Sequence, residues 1–285
     1  MEALLDIRNL KTEYATYGGK IRAVEGVDLQ VFPGELLGVV GAATSGKSTL
    51  VYSILNLVPQ PGRIVSGEVW FEGADILRMA ARQLQAMRGS RIGLIVSDPR
   101  RHLNPLMRVG DQIAEVILAH QRIDREQARK RARDLIATVG IPDPDWRMQG
   151  YPHEFSGGMC QRIGIAMAVA NSPRLILADE PTSGLDVTVQ IQILDLLRDE
   201  AREQGSAAVV VTRDLGIVAH YCQRVAVMAQ GRIVEIARTA DFFTDARSSE
   251  GAALLQSTKL ARGGYGLDDR SDVPANGRVS LGSEG

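Results

Sequence analysis

Short apolar segments bounded by Gly, Pro and Asp recur along the first 235 residues of the chain. The clearest are five or six residues long and mostly rich in β-branched side chains, which is typical of strands buried inside a parallel sheet. This pattern predicts one interior sheet. Its strands are expected at residues 35–40, 91–96, 174–178, 207–211 and 225–229.

Longer segments, in which apolar residues recur with the period of a helix, lie between these strands. We predict helices over residues 47–57, 109–120, 125–139, 157–170 and 188–203. Strands that alternate with helices indicate an α/β fold.

The pattern also predicts how the chain is divided. Residues 97–152 carry helical segments and a Pro-rich corner but no strong strand, so we predict a helical insertion over about residues 97–171. The insertion interrupts a domain over residues 1–250, whose core is expected at 1–96 and 172–250. Periodicity is lost from Gly251 onward, and we expect residues 251–285 to form a largely disordered C-terminal extension.

Composition narrows the classes of function. A net charge of −1 and a pI near 6.5 lack the basic surplus of nucleic-acid-binding proteins, so no nucleic-acid partner is expected. Two cysteines are too few for a disulfide framework or a zinc site, which favours a reducing compartment. No run of about 18 uncharged apolar residues occurs, so we expect any association with a membrane to depend on a partner.

Residues 41–48 read Gly-Ala-Ala-Thr-Ser-Gly-Lys-Ser and match the phosphate-loop pattern G-x-x-x-x-G-K-[ST] between a predicted strand and a predicted helix. In such a loop successive backbone N–H groups point at a polyphosphate, and the helix N-terminus adds its positive dipole end. Lys47 is expected to reach the outer phosphates, and Ser48 to offer its hydroxyl to Mg²⁺. The predicted nucleotide contacts are Gly41, Ala42, Ala43, Thr44, Ser45, Gly46, Lys47, Ser48 and Thr49.

An acidic pair follows the apolar segment Leu175-Ile176-Leu177-Ala178. Asp179 is predicted to hold Mg²⁺ together with Ser48, and Glu180 to act as the catalytic residue that polarises the water attacking the γ-phosphate. Apolar strands often end in acidic residues, so the pair alone is weak evidence of catalysis. Its assignment depends on the glycine-rich loop earlier in the chain.

Two further segments carry a family resemblance. Residues 155–162 read Phe-Ser-Gly-Gly-Met-Cys-Gln-Arg, and residues 183–186 read Ser-Gly-Leu-Asp. Together with the loop and the acidic pair, they make residues 4–258 similar to the ATP-binding subunits of ABC transporters. The similarity is closest to the dipeptide, oligopeptide and nickel importer branch, and it is also carried by residues 23–27, 104–105, 152–159 and 184–188.

The resemblance implies a RecA-like phosphate-loop ATPase core with an antiparallel strand layer and an inserted helical subdomain. It also implies a peripheral subunit on the cytoplasmic face of the inner membrane that uses ATP and Mg²⁺ to power import of peptides or related small solutes. The implied partners are a second ATPase subunit, expected to be a different chain, two membrane permease subunits and, indirectly, an extracytoplasmic solute-binding protein. A regulatory subunit with negligible turnover and a soluble ABC ATPase outside transport are the alternatives.

In this family two subunits enclose two ATP molecules, which implies further residue roles. Ser156, Gly157 and Gly158 would face the γ-phosphate bound by the partner subunit, because they begin a predicted helix. Asp186 would lie in a loop at the dimer contact. Tyr17 is expected to stack on adenine, with Tyr14 as the alternative.

The chain departs from the family pattern at two positions near the γ-phosphate. Ser97 stands where the family has a glutamine, and its hydroxyl is too short to reach the same point. Arg213 stands where the family has a histidine, and a guanidinium only donates hydrogen bonds. We therefore predict a weakened hydrolytic site in this chain, with near-normal turnover as the alternative.

Overall fold

The computed structural model describes residues 2–203 and 205–262. Within them the strands are, in chain order, β1 (Leu5–Thr16), β2 (Gly19–Val31), β3 (Leu36–Val40), β4 (Gly62–Phe71), β5 (Ala74–Asp75), β6 (Ile92–Ile95), β7 (Leu175–Asp179), β8 (Ala207–Val211), β9 (Arg224–Ala229) and β10 (Arg232–Arg238). The helices are α1 (Lys47–Ile54), α2 (Ala81–Met87), α3 (Val109–Leu118), α4 (Arg125–Thr138), α5 (Pro144–Arg147), α6 (Gly157–Val169), α7 (Val187–Glu203), α8 (Leu215–Tyr221), α9 (Thr239–Thr244) and α10 (Ser249–Arg262).

A six-stranded sheet in the described residues has the order β10-β9-β3-β8-β7-β6. Its strands β9, β3, β8, β7 and β6 pair in parallel, and β10 pairs antiparallel to β9. Every residue of β3, β7 and β8 is buried, which explains why these strands appear in the sequence as unbroken apolar segments. All five predicted strands are present, with ends that differ by at most one residue.

A second sheet packs against the first and has the order β2-β1-β4-β5 among the described residues, with antiparallel pairing throughout. One core lies between the two sheets and includes Leu5, Leu37 and Val69. The other core lies on the opposite face of the parallel sheet, where Val109 of α3 and Ile163 of α6 are fully buried. The α/β core with an antiparallel layer, predicted from the resemblance, is therefore confirmed.

The region predicted as a helical insertion contains α3, α4, α5 and α6, and none of residues 97–171, all of which are described, lies in a strand. Helices α1, α3, α4, α6 and α7 correspond to the five predicted helices. None of the helices in the described parts of the chain has both the length and the apolar character needed to cross a bilayer.

The expected loss of structure after Gly251 differs from what the structure shows. Residues 249–262 form α10, and its Leu254 and Leu255 pack against the core on the helical side of the parallel sheet. The helix is anchored by Glu235, whose carboxylate accepts hydrogen bonds from the backbone N–H groups of Arg247 and Ser248, both at 2.9 Å. Because Glu235 is distant in sequence from most of α10, the local pattern of apolar and polar residues does not predict these contacts. The rest of the expected extension, from residue 263, lies outside the described residues.

Candidate nucleotide-binding site

A cavity of about 740 Å³ lies at the carboxyl ends of β3, β7 and β8. It is lined by loop residues 43–49 after β3, by Asp179 and Glu180 at the end of β7, and by Arg213 after β8. Ser97, which follows β6, lines it as well. The structure therefore brings together most of the predicted nucleotide, magnesium and catalytic residues, because parallel strands end at the same edge of the sheet.

The shape of the loop depends on two glycines. Gly41 has a φ of 155° and Gly46 a φ of 106°, and the left-handed conformation of Gly46 is one that glycine adopts without strain. A Cβ on Gly41 would lie 2.1 Å from the carbonyl oxygen of Met228 in β9, and one on Gly46 would lie 2.0 Å from that of Ala23 in β2. Backbone from two distant strands therefore braces the loop, and no side chain fits at either position.

Lys47 opens α1 and is only 7% exposed. Its Nζ donates to the carbonyl oxygens of Gly41 and Ala42, both at 2.8 Å, and to Ser45 Oγ at 3.2 Å. Burial lowers the pKa of this ammonium, and the negative charge of Glu180 opposes that shift. The loop thus holds a desolvated cation at the place where the outer phosphates of a nucleotide are expected.

Asp179 is 2% exposed, and burial raises the pKa of its carboxyl although a hydrogen bond from Ser48 and the charge of Lys47 oppose the shift. Its Oδ1 is buried and has no hydrogen-bond partner among the described residues. A buried acceptor normally has a partner. One carboxylate beside one hydroxyl is a donor set that Mg²⁺ takes in phosphate sites, where substrate oxygens and water complete its shell. Asp179 and Ser48 therefore fit a magnesium ion.

Glu180 adopts a left-handed backbone conformation with a φ of 49°, and its N–H donates to Val211 O at 2.9 Å. Arg213 Nε lies 3.3 Å from Glu180 Oε1, so the two side chains form an ion pair. Burial raises the pKa of Glu180, while the charge of Arg213 lowers it. The sequence predicted both residues as site residues, but not that they contact each other.

Ser97 lies just beyond a connection between the core and the helical insertion. The carbonyl oxygen of Val96 accepts a hydrogen bond at 3.2 Å from Nε2 of Gln161 on α6, and Gln161 is 2% exposed. Sequence reasoning did not single out Gln161. A polar residue among the apolar positions of a predicted helix was the available signal, because a buried amide needs a partner.

The segment Ser156–Gly158 lies outside the lining of this cavity. Ser156 caps the N-terminus of α6, and its Oγ accepts a hydrogen bond from Met159 N at 3.2 Å. A Cβ on Gly158 would lie 3.2 Å from the carbonyl oxygen of Gly184, so the start of α6 packs against the loop that precedes Asp186. Asp186 caps α7 by accepting from Val189 N at 3.0 Å. Ser156, Gly157 and Asp186 are not buried in the chain, and their role toward a partner subunit stays a prediction.

Tyr17 is fully exposed at the turn between β1 and β2, and neither it nor Tyr14 lines the cavity. Ile21 and Ala23 of β2 line it instead. They are two positions apart and therefore lie on one face of the strand. The structure thus does not bring the predicted adenine-stacking residue to the site, because the tip of the hairpin directs Tyr17 into solvent.

A glycine-rich loop that joins a buried parallel strand to a helix, beside an acidic strand end, defines a phosphate-loop nucleotide-binding protein. Residues 24–183 match the family described as ABC transporter, and the chain belongs to that family. The family predicted from the sequence motifs is confirmed.

Three similar proteins illustrate this membership. The oligopeptide transport ATP-binding protein OppD of Bacillus subtilis is 45% identical over 255 residues, which cover 89% of this chain and 71% of the relative. The probable peptide ABC transporter ATP-binding protein y4tR of Sinorhizobium fredii is 46% identical over 264 residues, covering 92% of this chain and 79% of the relative. The solved structure of a dimeric ATP-binding cassette in a post-hydrolysis state, bound to ADP and Pi, is 27% identical with a TM-score of 0.76 and covers 82% of this chain and 98% of its own.

Proposed function

We propose that this chain binds and hydrolyses ATP to power an ABC importer for peptides or related small solutes. The observation that carries the proposal is the cavity that brings Lys47, Asp179 and Glu180 together at one edge of the parallel sheet. Similarity to ATP-binding proteins named for oligopeptide and peptide transport supports the class of solute.

Each residue of the cavity has a distinct role in this proposal. The N–H groups at the start of α1 bind the polyphosphate, and Lys47 compensates the charge of its outer part. Glu180 accepts a hydrogen bond from the attacking water and so orients it toward the γ-phosphate. A magnesium ion, held by Ser48 and Asp179, would neutralise phosphate charge when bound.

The site of this chain is proposed to turn over slowly. Ser97 follows β6, and its side chain is too short to reach the attacking water. Arg213 forms an ion pair with the Glu180 carboxylate. The contact between Arg213 and Glu180 also favours the second candidate function, an ATP-binding regulatory subunit with negligible turnover. Hydrolysis rates of the chain alone and with its partner subunits separate the two candidates.

The proposed assembly contains a second ATPase subunit and two membrane permease subunits at the cytoplasmic face of the inner membrane, where this chain is peripheral. An extracytoplasmic solute-binding protein would act through the permeases, and no nucleic acid takes part. The position of Ser156, Gly157 and Asp186 outside the chain's own cavity supports a surface that completes the site of another subunit.

Replacing Lys47 with Ala tests the site assignment. We expect the affinity for MgATP, measured by calorimetry, to fall about ten- to a hundredfold, because a charge-assisted hydrogen bond contributes about 1.5–3 kcal/mol. Lys130→Ala is the matched control, since Lys130 is an exposed lysine on α4 in the helical insertion. Equal MgATP affinity in the parent chain and in Lys47→Ala would show that the loop is not the nucleotide site.

A further inference from the structure

The side chain of Arg213 contacts a carboxylate in the cavity. The guanidinium Nε lies 3.3 Å from Glu180 Oε1, and the two groups form an ion pair. The proposed hydrolysis depends on Glu180. A group that contacts the Glu180 carboxylate therefore limits how that carboxylate can orient the attacking water.

The sheet itself sets the distance between the two residues. Asp179 of β7 pairs in register with Val211 of β8, and Glu180 N donates to Val211 O at 2.9 Å. Arg213 follows Val211 by two residues, so the sheet places Arg213 near Glu180. The side chain of Arg213 is 69% exposed, which leaves its guanidinium room to move while the backbone stays in place.

Lys47 is the other cation among the described residues that line the cavity, and it forms no ion pair with Glu180. Lys47 influences Glu180 through its charge, but its Nζ is already bound to Gly41 O, Ala42 O and Ser45 Oγ. Ser97, the other polar residue that departs from the family pattern, is too short to bring a water molecule to the γ-phosphate. The orientation of that water therefore depends on Glu180, and Glu180 is held by Arg213.

We propose that Arg213 is a positioning residue that holds the Glu180 carboxylate away from the attacking water and thereby restrains hydrolysis at this chain's own site. The inference rests on the proposed function. It assigns the restraint to one side chain whose removal raises turnover. An arginine that instead stabilised the phosphates would act in the opposite direction, because its removal would lower turnover.

Arg213→Ala and Arg213→Lys test this assignment in the full-length chain. Single-turnover ATP hydrolysis is measured with protein in excess and saturating Mg²⁺, so that slow rates are quantified. We expect the rate in Arg213→Ala to rise about two- to fivefold, as fits the modest strength of a largely exposed ion pair, with unchanged MgATP affinity. Arg213→Lys keeps a cation near Glu180, so its rate should remain close to that of the parent chain.

Arg63→Ala is the matched control, because Arg63 is 66% exposed and pairs with Glu13 at 2.8 Å outside the cavity. Its rate should equal that of the parent chain. Glu180→Gln tests whether the increase in hydrolysis rate caused by Arg213→Ala depends on the Glu180 carboxylate. In the Glu180→Gln background, Arg213→Ala should give no increase, since the restrained group is already neutral.

An unchanged or lower rate in Arg213→Ala, including a rate below detection in both proteins, overturns the assignment of Arg213. The assignment also fails if Arg213→Ala raises the rate equally with Gln at position 180, because the effect then does not act through the carboxylate. Retained MgATP binding in these variants leaves the proposed function standing. Absence of MgATP binding in the parent chain would contradict the proposed function itself.

Discussion

Both cysteine thiols of the chain, Cys160 and Cys222, are buried. Burial raises the pKa of each thiol, and for Cys222 to about 12. Because the thiolate is the reactive form, we expect iodoacetamide at pH 8 to leave both cysteines unmodified in the folded chain. Mass spectrometry checks this, and unfolding in urea provides the control, in which two adducts should form. An adduct on the folded chain would contradict the buried placement of the modified cysteine.

The single residues of the site differ in how far the sequence could predict them. Lys47 and Ser48 follow from a contiguous motif, in which backbone packed against Gly41 and Gly46 leaves no room for a side chain. The contact of Arg213 with Glu180 could not be read in the same way, since it depends on the pairing of β7 with β8. Ile21 could not be predicted as a site residue, because an isoleucine in a strand usually serves only in packing.

The connection between β10 and α10 leads to a stability prediction. Glu235 is 8% exposed and accepts three hydrogen bonds, from Arg247 N, Ser248 N and, at 2.6 Å, Ser248 Oγ. We expect Glu235→Gln to lower the free energy of unfolding by about 1–3 kcal/mol, because a buried charged acceptor is lost. Urea unfolding at pH 7 measures the change. Glu115→Gln, at an exposed position of α3, should stay within about 0.5 kcal/mol of the parent chain.

The destabilisation by Glu235→Gln should depend on pH. Burial raises the pKa of Glu235, but the hydrogen bonds from Ser248 and from the backbone of Arg247 outweigh it, so the pKa is lowered from 4.5. The carboxylate therefore stabilises the fold above about pH 4.5, and this contribution is lost as the pH falls through the lowered pKa. The difference between parent and variant should shrink in acid, and a pH-independent difference would contradict this origin.

Strands and helices were predictable where burial is uniform. The strands β3, β7 and β8 are buried along their whole length, so their apolar segments stand out. The long strands β1 and β2 are half exposed and their pairing contains register shifts, so no clear alternation marks them, and only the family resemblance implied their layer. Helix α10 was missed because its anchor at Glu235 is distant in sequence from most of the helix it holds.

Substitutions of Glu180 and of Ser156 should reduce solute transport by the assembled transporter to different extents. In the proposed function, Glu180 acts on the nucleotide bound by this chain, whereas Ser156 completes the site of the partner subunit. We therefore expect Glu180→Gln to reduce transport only modestly, because a site restrained as proposed would contribute little turnover. Ser156→Arg should reduce transport severely, since a bulky cation at the start of α6 would block closure over the partner's nucleotide. Solute uptake in cells or proteoliposomes measures both effects.

A suitable control for the larger substitution is Ser257→Arg, which places the same side chain at an exposed position of α10. Uptake should be close to that of the parent transporter. Near-complete loss in both Glu180→Gln and Ser156→Arg would indicate two equivalent working sites. That result would overturn the unequal assignment while leaving the ABC transporter family unchanged.

The bracing of the phosphate loop also sets when the loop can form during synthesis on the ribosome. Strand β3 pairs with β8 on one side and β9 on the other, and Gly41 rests against the carbonyl of Met228. The nascent chain therefore carries the residues of its nucleotide cradle long before their supports have been translated, and contacts this distant in sequence form late. A growing polypeptide truncated before β9 would expose the motif to cellular ATP without being able to shape it, so ATP binding begins only after that strand has emerged.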